Sequence, residues 1–177
     1  METTVLGASI YVQLITEEHL FNATIYARGH RLLDILNDRT TDYLEVSDVE
    51  LHRKGSPEDT LAAFAEAIIR KADLHLVIIT GQEHEAPRTR LFGYVQKTRY
   101  NVFLTVPGYE VRGEMHLTDT GLPNPIAVLA RETGVFFPVT SATASHAQTG
   151  VDVVEHPVIM VNKRSLCLFA LSEEPLA

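Results

Sequence analysis

The run Ile10-Tyr11-Val12-Gln13-Leu14-Ile15-Thr16-Glu17-Glu18-His19-Leu20-Phe21-Asn22-Ala23-Thr24-Ile25 decides the fold. Apolar side chains alternate at Ile10, Val12 and Leu14 and again at Phe21, Ala23 and Ile25, with a polar turn around Glu17 and Glu18 between them. A period of two places one side of each strand against a core, so the run reads as a hairpin. An offset of 90 residues returns the pattern, carrying Val12 onto Val102, Leu14 onto Leu104, Phe21 onto Val111, Ala23 onto Gly113 and Ile25 onto Met115. The second turn is Pro107-Gly108, a stronger turn signal than the first.

Working outward, each hairpin is followed by one or two turns of helical spacing, Leu32, Leu33, Ile35 and Leu36 in one case and Ile126, Val128 and Leu129 in the other. A strand then follows. Tyr43-Leu44-Glu45-Val46-Ser47 matches Phe136-Phe137-Pro138-Val139-Thr140 at an offset of 93, which places three extra residues near Pro123 and Pro125. Leu76-Val77-Ile78-Ile79 is matched to Val158-Ile159-Met160-Val161, and Leu91-Phe92-Gly93-Tyr94-Val95 to Leu166-Cys167-Leu168-Phe169-Ala170, as a closing hairpin in each half. Five matched segments in one order imply a tandem duplication whose halves meet near Lys97 to Tyr100. The expected fold is mainly β with short helices, a β+α chain in which residues 1–98 and 99–177 each form a small five-stranded barrel-like unit.

The first half carries an insertion, Pro57 to Lys71, with Leu61, Phe64, Ala65, Ile68 and Ile69 at helical spacing. Ser56 is placed to cap it, Pro57 suits a first helical position, and Glu58 and Asp59 complement the helix dipole, so a helix over 57–71 is expected. The matching stretch Ala142 to Gly150 is small and polar and reads as a loop.

Composition narrows the function classes. With 177 residues and 45% hydrophobic composition the chain can bury a real core. A net charge of -8 disfavours a general grip on phosphate backbones or anionic lipid. Cys167 is the only cysteine and sits in an apolar run, where burial as a small hydrophobe accounts for it and no internal disulfide can form. The N-terminus has no signal-peptide pattern and no apolar run is long enough for a membrane span, so a cytoplasmic location is the default expectation.

The run Arg31-Leu32-Leu33-Asp34-Ile35-Leu36-Asn37, followed by Tyr43-Leu44-Glu45-Val46-Ser47-Asp48-Val49, resembles a family of small uncharacterised bacterial β-rich domains in which an Arg-Leu-x-Asp-x-Leu-Asn element joins strands. The resemblance covers the first half. In the second half only Leu129 and the following strand keep the pattern, and Ala130 replaces Asn37. It implies a fold and no activity. A more distant likeness to Sm-like and other small barrels is analogy at the level of fold.

No residue set nominates chemistry. The eight histidines show no ligand spacing on an expected helix and no Cys-x-x-Cys or His-Glu-x-x-His motif accompanies them. His84 between Glu83 and Glu85 reads as a polar hairpin loop. No Gly-x-Ser-x-Gly elbow or glycine-rich phosphate loop is present, so no catalytic residue, metal or cofactor is expected. Arg31, Asp34 and Asn37 form a polar group on the short helix, best read as an Arg31–Asp34 pair with Asn37 closing the helix. With His30 and His116 they are the contacts a small-ligand or nucleotide sensor would use. Arg88, Arg90, Lys97, Arg99, Lys163 and Arg164, with Tyr94 and Tyr100, would serve an acidic partner or RNA, although basic residues commonly protect strand edges. The leading expectation is a non-catalytic scaffold or regulatory protein that binds protein, including copies of itself, through sheet edges or the helix face.

Overall fold

The computed structural model describes residues 9–81, 97–118, 124–132, 134–150 and 152–172. The chain opens with β1 (Ser9–Ile15) and β2 (His19–Tyr26), crosses the short α1 (Leu32–Asn37), and continues through β3 (Tyr43–Arg53), β4 (Ser56–Arg70), a 3-10 turn (Lys71–Asp73) and β5 (Leu76–Ile79). It then runs through β6 (Thr98–Val106), β7 (Tyr109–Leu117), α2 (Pro125–Ala127) with a π turn (Val128–Glu132), β8 (Phe136–His146), β9 (Asp152–Asn162), a second 3-10 turn (Lys163–Ser165) and β10 (Leu168–Ser172). The class is mainly β with short helices. The ten strands among the described residues belong to a single open antiparallel sheet in the order β10-β6-β7-β8-β9-β5-β1-β2-β3-β4.

The alternation that marked the first hairpin is what its core uses. Ile10, Val12 and Leu14 are buried with Ile25, Val46 and the α1 residues Leu32 and Leu36 in one apolar cluster. Val102, Leu104, Val111, Phe137 and Val139 occupy corresponding positions in a second cluster. Asn124 caps α2 by accepting from the N–H groups of Ile126 (3.0 Å) and Ala127 (3.4 Å), with Pro125 at the first helical position.

Strand pairing recurs between the halves position by position. Leu14 faces Phe21 as Leu104 faces Val111, and Thr24 faces Ser47 as Glu114 faces Thr140. The ladder slips after Asn22 in one half and after Arg112 in the other. Asp48 (φ 49°) and Ser141 (φ 46°) hold the left-handed backbone at these two bulges. After the last long strand of each half a lysine ties down the helix end: Lys71 Nζ donates to the Asp38 carbonyl (2.9 Å) and Lys163 Nζ to the Leu129 carbonyl (3.0 Å).

Four expectations are corrected. Pro57 to Lys71 is not a helix: Ser56–Arg70 is β4, paired with β3 from Arg53 opposite Ser56 to Tyr43 opposite Arg70. The backbone bonds of that ladder override the helical preference of its alanines, and Leu61, Phe64 and Ile68 stay exposed on the outermost strand. Ala142 to Gly150 is not all loop, because β8 continues to His146. The match of Leu76–Ile79 with Val158–Val161 is one step out of place: Leu76–Ile79 is placed like Leu168–Leu171, since both follow a 3-10 turn and pair with β1 and β6 respectively, whereas Ile159–Val161 is placed like Ala67–Ile69. Finally, Cys167 is exposed, in the turn before β10, where its N–H donates to the Thr105 carbonyl (2.9 Å). Leu91 to Val95 lies outside the described residues.

Candidate interaction site

The two halves meet strand to strand. β5 of the first half pairs antiparallel with β9 of the second, Leu76 opposite Val161, Val77 opposite Met160 and Ile78 opposite Ile159. Side chains cross the seam in both directions. Leu76 and Ile78 enter the cluster of the second half together with Ile15, and Met160 enters the cluster of the first. All three β5 residues have no exposed surface.

Polar groups lock the seam. Asn162, fully buried, donates through Nδ2 to the Leu74 carbonyl (2.7 Å) and accepts at Oδ1 from the Arg164 N–H (3.0 Å), while its own N–H donates to the His75 carbonyl (3.0 Å). Asn37 Nδ2 donates to the Phe136 carbonyl (2.9 Å) and its Oδ1 accepts from the Phe136 N–H (2.8 Å). Lys54 Nζ donates to the Pro107 carbonyl (2.8 Å) and lies 4.9 Å from the centre of the Tyr109 ring. Burial lowers the Lys54 pKa, opposed by Glu17 and Glu18. Burial also lowers that of His75, helped by Lys54 and opposed by Glu17 and Asp73.

At the far ends of the sheet stand β4 and β10, each with one strand neighbour among the described residues. On β4, Phe64 is 51% and Ile68 65% exposed, and Leu168 on β10 is 46% exposed. Beside β4 runs a groove of about 510 Å³ lined by Phe21, Phe64, Ile68, Ile69, Glu17 and His75, among others. Apolar side chains on a strand with unused backbone donors and acceptors are suited to receiving another strand.

The residues singled out in the sequence fall elsewhere. Arg31, Asp34 and His30 are exposed around α1. Asn37, expected to close the helix, instead joins the two halves. Exposed His116 meets the Thr140 hydroxyl through Nε2 (3.2 Å), and Arg99 pairs with Glu114 (3.4 Å). Lys163 holds the Leu129 carbonyl, and Arg164 is exposed at the second 3-10 turn. Arg88 and Arg90 lie outside the described residues, as do Glu83, His84 and Glu85. No group of three or more His, Cys, Asp or Glu able to hold a metal occurs among the described residues.

Helical spacing within Pro57 to Lys71 hides the strand β4 and its outermost place in the sheet among the described residues. The signal was present in the match of Ile68-Ile69-Arg70-Lys71-Ala72-Asp73-Leu74 with Met160-Val161-Asn162-Lys163-Arg164-Ser165-Leu166 at an offset of 92. That alignment makes β4 a strand wherever β9 is one. Comparison of the chain with protein-family models, curated proteins and solved structures returns no significant match. None of the helices among the described residues is long and apolar enough to cross a membrane.

Proposed function

We propose that this protein is a non-catalytic scaffold or regulatory protein, built as two copies of one five-strand unit joined in a single open sheet and self-associating through its sheet edges. The observation that carries the reading is the pair of outer strands, β4 and β10, which present exposed Phe64, Ile68 and Leu168 and have one strand neighbour each among the described residues. A monomer bearing such edges ordinarily blunts them. On β4, Pro57, Glu58 and Asp59 stand at one end, and at the other the apolar run Ala67, Ile68 and Ile69 lies between the charged residues Glu66 and Arg70.

The polar candidates on the sheet and helices are consistent with structural employment, as in the Arg99–Glu114 pair and the Lys163 contact with the Leu129 carbonyl. The same reading places the protein in a reducing, cytoplasmic setting, in keeping with a lone, exposed, free Cys167.

Static light scattering over a concentration series tests it. The weight-average mass is expected to rise above the 19.7 kDa of one chain as concentration increases. A mass fixed at that of one chain throughout, in a protein that also captures no stable partner, would sink the proposal.

A further inference from the structure

The seam between the two halves has a counterpart at the outer strands that no strand among the described residues fills, and we infer that β4 of one copy pairs antiparallel with β10 of a second copy, joining chains head to tail. The inference rests on the self-association reading and gives it a partner and a register. An offset of 92 carries Ala67, Ile68 and Ile69 onto Ile159, Met160 and Val161, and carries Leu76, Val77 and Ile78 onto Leu168, Phe169 and Ala170. Inside the chain the second of these trios, on β5, pairs with Val161, Met160 and Ile159. Repeating that ladder between copies sets Ile69 opposite Leu168, Ile68 opposite Phe169 and Ala67 opposite Ala170 of the second copy.

Two of the side chains left exposed on one copy, Ile68 and Leu168, lie on that ladder. Met160 crosses the internal seam into the neighbouring cluster. Its counterpart Ile68 is 65% exposed, with no neighbouring half to enter. Leu76 and Ile78 fill the second half beside Ile159 and Val161. Their counterparts are Leu168, 46% exposed, and Ala170, and the space that corresponds to the one they would fill is the groove beside Ile68 and Ile69. The contact is heterologous, with two different edges meeting, so each chain retains one edge of each kind and growth continues until a ring closes or a filament forms.

The link between copies is weaker than the seam within one. The three polar locks do not recur: Arg70 stands where Asn162 does, Ala130 where Asn37 does, and Ala147 where Lys54 does. Arg70 is instead engaged by Asp73 (2.7 Å). Association is therefore reversible and depends on concentration.

Disulfide trapping reads the register directly. Facing residues of an antiparallel pair have Cα atoms about 4.5 to 5.5 Å apart, within disulfide reach. In a Cys167→Ser background, the Ala67→Cys, Ala170→Cys double variant should oxidise to a ladder of covalent multimers. Either cysteine alone should give no ladder. Arg70→Asn with Ala130→Asn, both at exposed positions, should tighten association on the order of tenfold by restoring the missing hydrogen bonds. Multimers in light scattering with no ladder, or with no tightening, would overturn this pairing while leaving self-association in place. A monomer at every concentration would overturn both.

Discussion

Asn162 has no exposed surface, yet its side chain and backbone bonds reach Leu74, Arg164 and His75. A buried amide is tolerated only when its partners are present, and removing it strands them. Asn162→Leu should therefore lower unfolding stability by about 1–3 kcal/mol, measured by urea titration, because the Leu74 carbonyl is left without its donor. Asn37→Ala removes two bonds to the Phe136 backbone and should cost about 1–2 kcal/mol by the same assay. His75 supplies a pH dependence. Burial holds its pKa below the ordinary value of 6.5, so between the two values the unfolded chain binds more protons than the folded one. His156, lowered by burial as well, acts in the same direction. Stability is then complete above the ordinary histidine range and falls as pH drops through it. The urea midpoint should decrease from about pH 7.5 to about pH 5, and His75→Gln should flatten that decrease. An unchanged slope in the variant would remove His75 from the account.

Elements show why part of the fold was legible and part was not. The hairpins were readable because one side of each is buried and the other is not, which makes a period of two visible in Ile10, Val12 and Leu14. β4 was not readable, since an outermost strand is exposed on much of both sides and Leu61, Phe64, Ile68 and Ile69 fell at helical spacing by position alone. The polar residues of α1 were noticed, but the role of Asn37 was not, because its partner Phe136 lies 99 residues away. The bulges were equally silent, as neither Asp48 nor Ser141 is a glycine that would mark a left-handed backbone. Asp48→Gly and Ser141→Gly should each be neutral or stabilising, whereas valine at either position should cost about 1–2 kcal/mol in thermal or urea unfolding. The corresponding strands also differ in tolerance. A Cβ at Gly113 would lie 2.6 Å from Val139 Cγ1 and 2.8 Å from the Thr140 carbonyl oxygen. Gly113→Ala should thus destabilise by about 1–3 kcal/mol, although alanine is native at the matching Ala23. Equal stability of variant and parent would show that β7 and β8 can separate there.

At the scale of the whole molecule, the length and apolar content anticipated a chain able to bury a real core, in one domain or two, and the repeated hairpins anticipated its β class. What the sequence left hidden was how the halves are joined, because the β5·β9 seam depends on which strand lies outermost in each half. A seam of that kind has the same two edges at its ends as at its centre. Hydrogen exchange at low and high protein concentration tests this most directly, since a strand that gains a neighbour gains protected amides. The account predicts that protection in Ala67–Ile69 of β4 and Leu168–Leu171 of β10 rises together with concentration, while β5 and β9 stay protected throughout. Edges whose exchange is the same at both concentrations, in a sample whose mass has increased, would contradict it.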